Sequence, residues 1–187
     1  MERRPHSALT MLVWRIALVY IVLFLCRAVF YLANAAAVGP LAWSELGQLA
    51  AGAWRFDTAS VVYADGAFVL LSLVPFRFRE RRWWRRIQFG YYLAANSLLV
   101  AALNLSDAVY FRYTQKRITA DEVFFADNSN TASLLLKFTA ENWAVTLCFV
   151  LITLLLAVGY RYRTPIRSRL HGAAFYAANT LVLGVAA

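Results

Sequence analysis

The sequence predicts an all-α membrane protein, a bundle of about five transmembrane helices with a short interfacial helix between the first and second. Three observations predict it. Of 187 residues, 61% are hydrophobic and only 16% charged, where a soluble domain has roughly 45–50% apolar and about 25% charged residues. The apolar residues fall in blocks long enough to cross a bilayer rather than being spread along the chain. Many of the six Trp and ten Tyr sit at the ends of those blocks, where amphipathic rings favour the headgroup level.

Block one runs from about Thr10 to Val38 and carries Arg15 and Arg27 in an otherwise apolar run. At 1.5 Å per residue it exceeds a core of about 30 Å, so tilt or extension past the interface is expected. It is too long for the apolar region of a signal peptide and reads as a retained anchor. Gly39-Pro40 closes it. Residues 41–54 follow, with Leu41, Trp43, Leu46, Leu49 and Trp54 interrupted by Glu45, Gln48 and glycines. This stretch is too short and too polar to span and predicts an amphipathic helix in the interface.

Block two, about Phe56 to Phe76, carries Asp57 near its start and Asp65 inside, and ends at Pro75. The stretch from Arg77 to Arg86 has six Arg against one Glu. Block three, about Ile87 to Phe111, carries Asn96, Asn104 and Asp107. The connection from Arg112 to Asn142 is polar and nearly charge-balanced, with Arg112, Lys116, Arg117 and Lys137 against Asp121, Glu122, Asp127 and Glu141. A short surface helix is expected within it, over Val123 to Phe138. Block four is about Trp143 to Tyr160. Arg161 to Arg169 holds four Arg and no acid, and block five is about Leu170 to Ala187.

The net charge of +9 is a topology signal more than a nucleic-acid footprint, because the basic residues concentrate in two short connections between apolar blocks. In a five-helix count both connections lie on one side, together with Arg3 and Arg4. The positive-inside rule therefore predicts a cytoplasmic N-terminus and an extracytoplasmic C-terminus, with anionic lipid headgroups and not nucleic acid as partners. No internal repeat of the kind used by inverted-repeat transporters is visible.

Ionisable residues within a membrane are costly and usually serve a purpose. By estimated depth, Arg27, Arg55, Asp57, Asp65, Asn104, Asp107 and Arg112 converge on the outer half of the bundle. Asn104, Asp107 and Phe111 have the i, i+3, i+7 spacing of one helix face. Arg27 and Asp65, at similar depths, are expected to pair across helices. The cluster reads in two main ways: as mutual neutralisation that fixes helix packing, or as a headgroup pocket in which Arg binds a lipid phosphate and Asp its amine or hydroxyls. A proton or ion relay is a third reading, and a small transporter, or a non-enzymatic anchor or assembly subunit, are the rival functions. A transporter needs polar groups through the inner half, where blocks two and three offer little beyond Asn96 and Ser72.

No catalytic site can be assembled from this chain. It has no GxSxG, P-loop, HExxH or CxxC pattern. Cys26 and Cys148 lie in apolar blocks, as small hydrophobes do, and His6 and His171 flank membrane segments without partners. No metal or other cofactor is expected in it.

Four stretches carry a family resemblance: Trp54-Arg-Phe-Asp57, Leu71-Ser-Leu-Val-Pro-Phe76, Asn104-Leu-Ser-Asp-Ala-Val-Tyr-Phe-Arg112 and Lys116-Arg-Ile-Thr-Ala-Asp121. In order and spacing they resemble the N-terminal membrane region of the lipoteichoic acid synthase family, in particular its sulfatase-like members of Bacteroidetes type. The resemblance covers nearly the whole chain. It implies a bacterial plasma membrane enzyme in which five helices precede an extracytoplasmic, alkaline-phosphatase-like domain. That domain would hold a Thr nucleophile and a divalent metal, usually Mn²⁺, and transfer a phosphoglycerol-type group from a lipid. Its catalytic residues lie outside this chain, so the chain is expected to be the membrane half of a longer protein. Membrane phosphoethanolamine transferases share a similar plan, which leaves the transferred group open.

Overall fold

The computed structural model describes residues 8–39, 42–73, 81–118 and 139–162. They form four long helices: α1 (Ala8–Val38), α2 (Trp43–Leu73), α3 (Arg82–Thr114, with residues 95–102 wound as a π-helix) and α4 (Trp143–Tyr162). No strand occurs among the described residues. All four helices are long and apolar enough to cross a membrane. The fifth block, 170–187, and the surface helix expected within 123–138 lie outside the described residues.

The helices pack with apolar side chains both inward and outward. Inward, Leu12, Val19, Val22 and Cys26 of α1 meet Val61, Ala64 and Phe68 of α2, Tyr92, Val100 and Leu105 of α3, and Ile152, Leu156 and Tyr160 of α4. Outward, Phe24, Leu32, Val62, Leu70, Leu98 and Val158 are all exposed. A water-soluble bundle would clothe those outer faces in charge. Apolar exposure on every helix fits a lipid surround, in which only helices or closed barrels satisfy their backbone internally.

The segment 41–54 is helical over residues 43–54, but it is not a separate helix. It forms the first turns of α2, which runs unbroken to Leu73. Gly47 and Gly52 weaken a helix by only about 1 kcal/mol each and do not end it. Glu45, in the first turn, reaches back to the Ala42 N–H at 3.4 Å, in the manner of a capping box. At 31 residues α2 is roughly 46 Å long. Residues 42–51, all exposed, accordingly project beyond the bundle.

The turn into α2 follows the chemistry of Gly39. Its φ of +77° places it in the left-handed region, and its N–H closes on Ala35 O at 2.9 Å. This is the expected stop for α1. Five residues before Gly39, α1 bends at Asn34 (φ −121°, ψ 18°).

At the opposite end, α1 and α4 approach closely at Gly159. Trp14 Nε1 donates to Gly159 O at 2.9 Å, and a Cβ on Gly159 would lie 2.7 Å from Leu18 Cδ1. Small residues at membrane helix crossings permit this approach. Gly159→Val is expected to push α4 off α1 and to cost about 1–3 kcal/mol of stability, seen as a lower midpoint of thermal unfolding in detergent. An unchanged midpoint would mean that the crossing does not depend on the missing side chain.

Candidate functional site

The polar residues of the bundle form three groups at different depths. The richest lies at the end where α1 turns into α2 and α3 finishes. There Arg27 donates from both terminal nitrogens to Asp57, NH1 to Oδ2 at 3.0 Å and NH2 to Oδ1 at 2.7 Å. The fork-on-carboxylate geometry is the strong, directional form of this pair. Asp57 is buried, whereas the Arg27 side chain is 46% exposed. Beside them Tyr20 shares a hydrogen bond with Thr58 at 3.0 Å and stacks on Trp54.

Arg27, Phe30 and Asn34 follow i, i+3, i+7 spacing, so one face of α1 organises this end. Phe30 packs on Phe111 of α3, with ring centroids 5.2 Å apart. Asn34 donates to Phe30 O at 3.0 Å and across to Ala108 O at 2.9 Å. The bend at Asn34 thus belongs to a side chain that bridges α1 to the last turns of α3.

Next to Ala108, Asp107 gathers the chain that leaves α3. Gln115 adopts the left-handed conformation (φ 56°, ψ 20°) and its N–H closes on Phe111 O at 2.9 Å. The reversal brings Arg117 Nε to Asp107 Oδ2 at 2.6 Å and the Ile118 N–H to Oδ1 at 2.8 Å. The Arg117 guanidinium also lies 5.7 Å from the Phe30 ring centroid. A non-glycine residue pays a steric cost in the left-handed region. Gln115→Gly is therefore expected to hold stability level or raise it by up to about 1 kcal/mol in thermal unfolding. A clear loss would show that the Gln115 side chain supports the turn.

The second group lies deeper. Asp65, with no exposed surface, accepts from Asn96 Nδ2 at 2.8 Å, and the same amide nitrogen donates to Tyr92 O at 3.0 Å. Asn96 sits in the π-wound segment of α3, a distortion often found at functional positions. The third group closes the Arg-rich end. Arg15 is buried there with its guanidinium carbon 3.6 Å from the Tyr160 ring centroid, and its carbonyl accepts from the Tyr92 hydroxyl at 3.0 Å. Gln88 ties α3 to α2 through Leu71 O at 3.0 Å. Arg81, Arg82, Arg85, Arg86 and Arg161 are exposed at this end.

Of the seven residues expected to form one outer cluster, the structure joins Arg27 and Asp57 and sets Asp107 beside them through Phe30. Arg27 does not pair with Asp65. The reason is the extra length of α2. Because the helix begins at Trp43, Asp57 lies roughly four turns inside it and is level with Arg27. Asp65 lies about 12 Å deeper. Asn104 is tied to its own helix, donating to Val100 O at 2.8 Å. Arg55 and Arg112 are exposed, at the same end as Asp57 and Asp107.

Sequence reasoning missed Asn34, the pairing role of Arg117 and the seat of Arg15. A lone Asn in an apolar run marks a possible bridge, but its partner is a backbone carbonyl with no sequence signature. Arg117 is ten residues from Asp107, a spacing that no regular helix brings into contact. Comparison with family models, with curated proteins and with solved structures finds no match to this chain.

Proposed function

We propose that this chain is the membrane domain of a lipid-dependent phosphoglycerol transferase, or a related phosphotransferase, resembling the lipoteichoic acid synthase family. In this reading it spans a bacterial plasma membrane with its N-terminus cytoplasmic. It anchors an extracytoplasmic catalytic domain that carries the Mn²⁺-dependent chemistry, and it presents anionic lipid headgroups to that domain.

One observation carries the reading. Of the four stretches behind the resemblance, Trp54–Asp57, Asn104–Arg112 and the start of Lys116–Asp121 lie at one end of the bundle, and the last two interlock there, whereas Leu71 to Leu73 of the remaining stretch lie at the opposite, Arg-rich end. Asp57 of the Trp-Arg-Phe-Asp stretch is held by Arg27, and Asp107 of the Asn104–Arg112 stretch holds Arg117 and Ile118 of the Lys116–Asp121 stretch. With both carboxylates engaged, Arg55, Arg112 and Lys116 stay exposed at that end. Guanidinium groups match phosphate oxygens two at a time, so such an end suits a phosphodiester headgroup.

Native mass spectrometry of the full chain tests this. Phosphatidylglycerol is expected to be retained over phosphatidylcholine, and the Arg55→Ala/Arg112→Ala double variant to lose at least about tenfold of that preference, as befits losing charge-assisted contacts. A folded double variant with unchanged preference contradicts headgroup presentation. That outcome would favour the second reading, a purely structural anchor, which the internal engagement of Asp57 and Asp107 supports.

A further inference from the structure

We infer that Asp65 and Asn96 form a proton-binding site midway through the bundle, in which Asp65 is held as the neutral carboxylic acid. The inference rests on which polar atoms at this site have partners. Asn96 Nδ2 makes two hydrogen bonds, to Asp65 Oδ1 and to Tyr92 O. These two acceptors fix the amide's orientation, since a flipped amide would set oxygen against oxygen. At this pair two buried oxygens then have no hydrogen-bond partner, Asp65 Oδ2 and Asn96 Oδ1; the other buried side-chain oxygens without one among the described residues, Ser97 Oγ and Thr153 Oγ1, are hydroxyls. The carboxyl and amide oxygens belong to side chains already joined by one bond. Both are acceptors, so neither can satisfy the other.

A single proton resolves both. On Asp65 Oδ2 it turns an acceptor into an O–H donor. That donor belongs to a carboxyl already bonded to an amide whose free atom is its carbonyl oxygen. An acid and a primary amide form a closed pair by two such bonds, N–H to the acid carbonyl and O–H to the amide carbonyl. As a bare carboxylate, Asp65 would be an ion with no exposed surface and one donor from Asn96, an arrangement far costlier than a neutral, fully bonded pair.

The charged and titratable groups on the helices around it leave the carboxyl without a counter-ion among the described residues. On α1, Arg15 lies on the Tyr160 ring of α4, Arg27 is taken by Asp57 of α2, and Cys26 is a free thiol within the apolar core. On α3, the Tyr91 hydroxyl donates to Ala64 O and the Tyr92 hydroxyl to Arg15 O. On α4, Cys148 is a free thiol against the same core. The π-wound stretch places Ala95, Asn96 and Ser97 together on the buried side of α3, which is how the amide comes to face α2.

Infrared difference spectroscopy of the full chain in lipid nanodiscs tests the inference, comparing the wild type with Asp65→Asn at neutral pH. The wild type is expected to show a carboxylic-acid C=O stretch that shifts in D₂O and is lost in Asp65→Asn. A difference confined to carboxylate stretches overturns the proposal. So does disappearance of the acid band when sodium replaces choline in the buffer, which would make the site one for a metal cation. Stability supplies the second readout. Asp65→Asn rebuilds the same two bonds as an amide pair, so its unfolding equilibrium should stay within about tenfold of the wild type, whereas Asp65→Leu strands the amide and should fall well below it. An Asp65→Asn protein that fails to fold, or equal losses in both variants, contradicts the closed pair.

Discussion

Asp57→Ala is expected to destabilise the bundle by up to about 2.5 kcal/mol, the lower bound of the insertion cost of an unpaired Arg at the centre of a membrane helix, because the pair lies toward one end. Asp57 accepts hydrogen bonds from both terminal nitrogens of Arg27, whose side chain is 46% exposed. Removing the carboxylate turns a neutral pair into a lone, half-exposed cation. Replacing both residues removes the cation as well, and exchange of a buried pair for apolar residues is often neutral. The Arg27→Leu/Asp57→Leu double variant should therefore recover most of the loss. Thermal unfolding of the three proteins in nanodiscs measures this, and a double variant as weak as Asp57→Ala would show that the pair does more than neutralise itself.

Asp107→Ala is the second large effect, at about 2 kcal/mol, the scale of hydrogen bonds to a charged group. Asp107 is almost fully buried and carries two bonds of unequal worth. Arg117 is 71% exposed, so its ion pair contributes little. The bond from the Ile118 N–H, at 2.8 Å, anchors the reversal begun at Gln115. Asp107→Asn keeps an oxygen for that N–H and should lose much less. Hydrogen exchange resolves the two: Ile118 should lose protection in Asp107→Ala and keep most of it in Asp107→Asn. Equal protection in both would place the anchor elsewhere.

Both effects depend on contacts that the sequence could not display, although the helices that make them were legible in it. Three spans could be read closely because block length, Gly39-Pro40 and the Trp and Tyr at block ends are local signals. Where α2 begins could not. Glu45, Gln48 and two glycines lower the hydropathy of residues 43–54, and hydropathy measures lipid preference, not helical continuity. That misplaced start put Asp57 at the rim and paired Arg27 with Asp65. Asp107 and Phe111 do turn inward together, as their spacing implied, while Asn104 bonds back to Val100 O. The bend at Asn34 and the π-wound stretch from Ala95 arise from packing between helices, and no breaker residue announces them.

Whether these helices serve a lipid-dependent phosphotransferase, as proposed, is decided by sequencing the native locus beyond Ala187. The expected result is an in-frame continuation that encodes an alkaline-phosphatase-like domain with a Thr nucleophile and metal ligands. A stop codon directly after Ala187 would contradict it and leave a membrane protein whose paired charges only hold its helices together.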